Sequence, residues 1–349
     1  MYNLPEQLRD LVPYEPVSGE YTVRLDANES FLSLPQELRR EVGQAVSQID
    51  FNRYPDPYAT ELCRKFAGFY GVQAQNVVAG NGSDELIGVI VSGFAAPGES
   101  ITVVSPDFSM YGFYAQLYHV KVHNFIKENG LSFSAADLIR AVRENGSKIL
   151  FFSNPCNPTS TVAGREEILS IIDALPDCLV VVDEAYMEFS DQSVLDQAER
   201  RDHVILLKTF SKAFGMAAIR LGFAVACPAI ARALKAAKSP YNVNTMTQVV
   251  GCVLLDHPEY IRDCIRRIIA ARDDLYAKLS ALAAQKPQLG EVTATCANFV
   301  YLRTSRAAAL AEGLAKAGIA VRDFADSLRI SAGSRQENEA VLDTLSALL

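Results

Sequence analysis

The chain has 349 residues, room for roughly two domains at about 150 residues each, and its 49% apolar and 21% charged residues are the balance of an ordinary folded protein. With 33 basic against 41 acidic side chains the net charge is −8, which argues against a nucleic-acid binder, whose contact face is basic. The opening stretch MYNLPEQLRDLVPYEP lacks the basic start and apolar core of a secretory signal, and apolar runs such as LVVV at 179–182 are far too short to span a membrane, so a cytoplasmic protein is expected.

To about residue 35 the chain is Pro-rich and without period. It reads as an arm packing on a smaller C-terminal domain. From about 75 to 226, short apolar runs alternate with helical patterns. The candidate strands are NVVAG (76–80), SITVVS (100–105), VKVHNF (120–125), KILFFS (148–153), LVVVDE (179–184), HVILLK (203–208) and LGFAVA (221–226). Several are unbroken Val/Ile/Leu/Phe runs, the pattern of strands buried on both faces. SDELIGVIVSGFA (83–95) and GREEILSIIDAL (164–175) read as helices between them. This alternation predicts an α/β fold with a mostly parallel central sheet and helices on both faces. Residues 247–285 read as one long helix. ANFVYLRT, GIAVRDF and SLRISAG then read as strands around the helical SRAAALAEGLAKAG, which makes a smaller α+β domain. The expected division is an arm at 1–35, a large domain at 36–245 and a small domain at 246–349.

Two features suggest chemistry and lose to simpler readings. His119 and His123 stand four apart in HVKVH, but the alternation reads as a strand and no third ligand is near, so no metal is expected. Seven cysteines, odd in number, widely spread and without a C-x-x-C, read as reduced, mostly buried thiols.

Ligands of open α/β sheets bind at the carboxyl ends of the strands, and there the polar residues collect. NVVAG is followed by NGSDE, where Gly82, Ser83 and Asp84 open a helix whose free N–H groups suit an anion. SITVVS is followed by PDFSMY, with Phe108. KILFFS is followed by NPCNPTS, with Asn157 in a Pro-braced loop. LVVVDE ends on Asp183, with Tyr186 three residues on, and HVILLK leads into TFSK, with Thr209, Ser211 and Lys212. Each alone has a plain alternative: Ser83 a helix cap, Asn157 turn chemistry, Phe108 a core aromatic. Asp183 is harder to dismiss, because an unpaired carboxylate at the end of an apolar strand is costly. Together the five strand ends match pyridoxal 5′-phosphate. That cofactor needs a lysine amine for a Schiff base, a carboxylate on its ring nitrogen, a donor to its ring oxygen, a face to stack on and a phosphate cradle. Lys212 is then the cofactor lysine, with Thr209, Ser211 and Arg220 beside the cradle at 82–84.

The motifs LDANES (25–30), NRYPDP (52–57), GNGSDE (80–85), NPCNPT (154–159), DEAYMEF (183–189), TFSKAFGMAAIRLGF (209–223), PYNVN (240–244) and LRISAG (328–333) resemble fold-type-I aminotransferases dependent on pyridoxal phosphate. More narrowly, they resemble the histidinol-phosphate aminotransferase subgroup, over nearly the whole chain. The resemblance implies that Asp183 holds the ring nitrogen, Asn157 and Tyr186 the ring oxygen, and Phe108 the ring face. It implies that Ser83, Asp84, Thr209, Ser211 and Arg220 surround the phosphate, and that Tyr54 reaches it from the second chain of a homodimer with shared sites. Arg329 would take the substrate's carboxylate or phosphate, with Arg322, Tyr14, Asn28 and Tyr241 lining the same pocket. Three positions depart from the usual pattern: Ser160 where Gly is common, Phe108 where Tyr is common, and Ala218 where Gly is common. They touch substrate preference rather than reaction type.

The expected reaction is a ping-pong transfer of an amino group between glutamate/2-oxoglutarate and histidinol phosphate or an aromatic amino acid. Lys212 would move the proton at the substrate's amino carbon. A decarboxylase of a phosphorylated amino acid such as threonine phosphate would use the same cofactor. A regulator would need a DNA-binding module, and no extra segment or basic helix is present. A dehydrogenase would show G-x-G-x-x-G after the first strand, which is missing.

Overall fold

The computed structural model describes residues 2–3, 5–9, 11, 15 and 17–349. The strands in chain order are β1 (Val23–Leu25), β2 (Val77–Gly80), β3 (Ser100–Ser105), β4 (Lys121–Ile126), β5 (Ile149–Ser153), β6 (Leu179–Asp183), β7 (Val204–Thr209), β8 (Gly222–Val225), β9 (Glu291–Thr293), β10 (Phe299–Arg303), β11 (Ile319–Phe324) and β12 (Ser327–Ser331). β2 to β8 form one sheet in the order β2-β8-β7-β6-β5-β3-β4, and the other five form a second in the order β1-β11-β12-β10-β9.

The unbroken apolar runs become the middle of the seven-stranded sheet. Their side chains alternate strictly between two cores. Leu150, Phe152, Val180, Val182 and Leu206 enter one, while Ile149, Phe151, Val181, Ile205 and Leu207 enter the other. Both faces are therefore covered by helices, and no polar face is needed. Each fully buried aliphatic or Phe side chain of this kind stabilises the fold by roughly 1.5–3 kcal/mol. The sheet is parallel from β4 through β7. β8, however, runs antiparallel to both β7 and β2. A parallel return needs a crossover of a dozen or more residues, usually a helix. Between β7 and β8 the only helical turn is the short 3₁₀ segment Ala217–Ile219, so the chain doubles straight back and leaves Lys212 in the connection.

Two expectations are corrected. The long helix read over 247–285 is two helices, Thr245–Leu255 and Pro258–Gln285. Pro258 has no N–H to donate and its ring clashes with the carbonyl four residues back, so the helix restarts there with Pro in its first turn. The arm read as irregular contains the helix Glu6–Arg9 and the strand β1. β1 pairs in parallel with β11, Val23 opposite Ile319 and Leu25 opposite Val321. A three-residue strand has no detectable period, so only its distant partner reveals it. The five-stranded sheet packs on the helices Pro258–Gln285, Ala307–Lys316 and Arg335–Leu348 around its own core, with Leu275, Leu302, Leu314, Leu328 and Val341 fully buried. No helix among the described residues is long and apolar enough to cross a membrane.

Candidate active site

Asp183 is the last residue of β6 and only 4% exposed. Its Oδ1 accepts the Ala185 N–H at 3.0 Å and its Oδ2 accepts the Tyr111 hydroxyl at 3.0 Å. Burial pushes its carboxyl up to about 7, against the pull of these two donors, and Asp107 and Asp84 add like-charge repulsion. Among the described residues only these two neutral donors hydrogen-bond the carboxylate, a costly arrangement at a buried sheet end that a cationic ligand would relieve.

Lys212 sits in the β7–β8 connection. Its Nζ donates to the Ala27 carbonyl at 2.9 Å and lies 6.0 Å from the centre of the Tyr186 ring. Burial pushes this amine down to about 7, and the Arg329 and Arg220 guanidinium groups push it the same way. Glu29 and Asp183 oppose the shift. An amine near 7 is substantially neutral at physiological pH, and so is able to act as nucleophile and base.

The cradle forms where β2 gives way to the helix Gly82–Phe94. Ser83 N lies so close to β8 that a Cβ on Gly222 would stand 2.1 Å from it. A Cβ on Gly82, whose φ is +83°, would stand 2.9 Å from the Arg220 guanidinium. Arg220 itself is held in the left-handed region, φ +52°. From there its Nη1 donates to the Ser211 hydroxyl at 3.3 Å and to the Ala217 carbonyl at 3.1 Å. Ser211 N in turn donates to the Thr209 hydroxyl at 3.2 Å. Asp84 accepts the Tyr114 hydroxyl at 3.2 Å, and burial raises its carboxyl although Arg220 opposes this. A helix N-terminus, an arginine and the hydroxyls of Thr209 and Ser211 at the end of β7 therefore converge on one spot, which is the composition of an anion site.

Asn157, Tyr186, Asn28 and Arg329 form the opposite wall. Arg329 donates to Asn157 Oδ1 at 2.5 Å and to the Asp26 carbonyl at 2.6 Å, with its guanidinium 5.5 Å from the Phe299 ring centre. Tyr186 is buried, and its hydroxyl accepts Asn28 Nδ2 at 2.9 Å. Its own proton is not used in any described hydrogen bond. Asn28 adopts φ +53° and is locked by Ser331, which receives its N–H at 2.9 Å and donates to its Oδ1 at 3.2 Å. Arg322 faces Arg329 directly across the β11–β12 pair, so the two arginines share one face of the second sheet. Phe108 is half-buried with its ring edge-on to Tyr111 at 5.7 Å. Tyr14 lies outside the described residues.

Tyr54 lies apart from this wall. It is 82% exposed, and its ring stacks on Tyr241 at 4.7 Å with 19° between planes. The loop bearing Tyr241 is tied to the cradle helix, because Asn242 Nδ2 donates to Glu85 at 2.7 Å. Phe51, Tyr58 and Met246 are exposed as well.

Sequence reading missed the layer behind these groups. Asp107 receives the Ser153 N–H at 2.9 Å, the Ser153 hydroxyl, and the Phe108 N–H at 2.7 Å. Ser153 then accepts the Asn157 N–H at 3.2 Å. One half-buried carboxylate thus ties both the aromatic loop and the asparagine loop. Tyr111 stands three residues after Phe108, a spacing that puts both on one side of a helical turn, and this was the available signal. Ser160 is fully buried at φ +61°, which explains why glycine suits the position. Its hydroxyl offsets the strain by bonding Thr295 at 2.7 Å and accepting the N–H groups of Cys296 and Ala297 at 3.0 and 2.9 Å.

Pyridoxal 5′-phosphate fits the donor set. There is a depressed amine, a buried carboxylate with only neutral hydrogen-bond donors among the described residues, an asparagine and a tyrosine on the facing wall, and a cradle where a Cβ at Gly82 would crowd Arg220. The comparisons with known proteins agree. The model of the family "Aminotransferase class I and II" matches residues 21–345. The histidinol-phosphate aminotransferase of Clostridium kluyveri is 39% identical over 349 residues, covering 99% of this chain and 98% of the relative. That of Clostridium novyi is 37% identical over 345 residues, covering 97% and 95%. Among solved structures, histidinol-phosphate aminotransferase from Sinorhizobium meliloti in complex with pyridoxal 5′-phosphate has a TM-score of 0.88 over 100% of this chain and 98% of that one, at 20% identity, a likeness of fold. This chain belongs to the class I and II aminotransferases.

Proposed function

We propose that the protein transfers an amino group between histidinol phosphate and 2-oxoglutarate, as a cytoplasmic homodimer using pyridoxal 5′-phosphate. The observation that carries the substrate reading is the pairing of Arg329 with Arg322 across β11 and β12, beside Asn157. Two guanidinium groups on one face suit a dianionic phosphate or a carboxylate, and both halves of the reaction bring such a group. The relatives at 37–39% identity bear the corresponding name. The exposed aromatic group of Phe51, Tyr54, Tyr58 and Tyr241 supports a second chain covering this face, with Tyr54 reaching that chain's phosphate. Seven free thiols suit a reducing compartment.

When bound, the cofactor supplies an electron sink for bond breaking at the substrate's amino carbon. The chain's residues do the rest. Lys212 takes the proton from that carbon and returns it. Asp183, ionised, would hold the cofactor's ring nitrogen in a charge-assisted hydrogen bond. Asn157 Nδ2 and the Tyr186 hydroxyl would donate to its ring oxygen, and Phe108 would pack beside its ring. Ser83, Ser211, Thr209 and Arg220, with the N-terminus of the helix Gly82–Phe94, hold the phosphate. Arg329, with Arg322, fixes the substrate's anionic end.

The test is a half-reaction screen. Cofactor-loaded protein is mixed separately with histidinol phosphate, phenylalanine, tyrosine, glutamate and threonine phosphate. Loss of the bound cofactor's absorbance is followed and the products are identified by mass. Rapid reaction with histidinol phosphate and glutamate is expected. Carbon dioxide release from threonine phosphate with no glutamate reaction would replace this reading with a decarboxylase.

A further inference from the structure

Tyr111 is fully buried, and its ring is clamped between Phe151, stacked at 5.1 Å and 16°, and Phe108, edge-on at 5.7 Å. A phenol in so apolar a slot needs a partner for its hydroxyl, and that partner is Asp183 Oδ2 at 3.0 Å. We infer that Tyr111 is a positioning residue for the amino-transfer reaction, holding the plane of the Asp183 carboxylate and keeping its remaining acceptor positions turned to the ligand. The inference rests on the cofactor reading above. Each Asp183 oxygen has one fixed donor, Tyr111 on Oδ2 and the Ala185 N–H on Oδ1, so rotation of the group would break two hydrogen bonds.

The donors also come from different places. The Ala185 N–H belongs to the turn that follows β6. Tyr111 belongs to the helix Met110–Leu117, which carries Phe108 just before its first turn. The stacking ring and the carboxylate are thereby held to one another through a single hydroxyl. The hydrogen bond also favours the charged carboxylate, which burial, Asp107 and Asp84 all disfavour. Among the other groups facing Asp183, Lys212 feels its charge and so does Tyr186. Of these neighbours Tyr111 is the side chain that hydrogen-bonds Asp183 directly.

Tyr111→Phe removes one oxygen and keeps the ring. In the cofactor-free protein, the Asp183 carboxyl would be followed by carbon NMR with labelled aspartate, its signal identified by its loss in Asp183→Asn. Its midpoint should rise by about one pH unit, a tenfold gain in proton affinity. In the loaded enzyme the acidic limb of kcat/KM should move the same way, with KM for 2-oxoglutarate held within about twofold. An unmoved carboxyl midpoint overturns the inference, and so does a uniform loss of activity with the limb in place. If Tyr111→Phe does not fold, 3-fluorotyrosine at position 111 serves instead, as a stronger donor of nearly the same shape. It should lower the midpoint, and no shift overturns the inference. Failure of the cofactor reading shows separately, as wild-type protein that takes up no pyridoxal 5′-phosphate while the carboxyl still responds to Tyr111.

Discussion

Asp183→Asn should make the cofactor-free protein more stable above neutral pH, although it damages the site. The carboxyl titrates at about 7 in the fold against 3.8 for the free side chain. The unfolded chain thus releases this proton near pH 4, while the folded chain keeps it to near 7. Below 3.8 the fold carries no penalty. Between 4 and 7 the penalty grows, and above 7 it is complete, about 4 kcal/mol at 1.36 kcal/mol per pH unit. Asparagine carries no charge to bury. It does have one acceptor oxygen for two donors, Tyr111 and the Ala185 N–H, and the donor left over costs about 1–2 kcal/mol. The net gain at pH 8 is then about 2–3 kcal/mol. Urea unfolding of both cofactor-free proteins at pH 4.5 and 8 reads it directly. The difference should be large at pH 8 and should vanish or reverse at the lower pH, and saturating cofactor should restore the wild type's advantage. An Asn variant that is less stable at pH 8, or a difference independent of pH, refutes the burial argument.

Arg329→Ala should lower kcat/KM for 2-oxoglutarate and for the amino donor alike, by about 10- to 100-fold, the worth of a charged hydrogen bond. A loss for one partner alone would place the other's anchor elsewhere. Borohydride reduction of the loaded protein followed by peptide mapping should tag Lys212, and a tag on any other lysine rejects its role. Co-refolding Lys212→Ala with Tyr54→Ala chains at limiting cofactor should restore up to half the sites, since one site of each hybrid takes Lys212 and Tyr54 from opposite chains. A mixture no better than Tyr54→Ala alone would return Tyr54 to its own chain.

Much of the large sheet was legible because β5, β6 and β7 are buried on both faces and so consist of unbroken apolar residues. The polar residues at their ends then stood out by contrast. Asp183 is the clearest case: a carboxylate directly after Leu-Val-Val-Val has no reason to be there except chemistry or a partner. What stayed hidden depends on three-dimensional neighbours. The direction of β8 follows from the lack of a crossover helix, a property of the connection rather than of the strand. β1 is too short for a pattern. Asp107 and Tyr111 look like ordinary loop and core residues, and their importance is set by Ser153 and Asp183 on other strands. Pro258, by contrast, was visible in the sequence, and the break it causes could have been read from it.

The pairing of β1 with β11 joins parts of the chain whose contact at Thr22 and Gly318 spans 296 residues. Asn28, beside Lys212's acceptor at Ala27, is likewise locked by Ser331. On the ribosome, the seven-stranded sheet can therefore emerge and collapse while one wall of the candidate site still lacks its partner. At about 5–20 residues per second, the interval between the appearance of β8 and that of β12 lasts several seconds. Through that time Asn28, next to the acceptor of Lys212, lacks its lock on Ser331. A chain stalled or cleaved before β11 would keep Lys212 but not Arg322 and Arg329. The pocket is thus completed only when β11 and β12 dock against β1 and the loop after it.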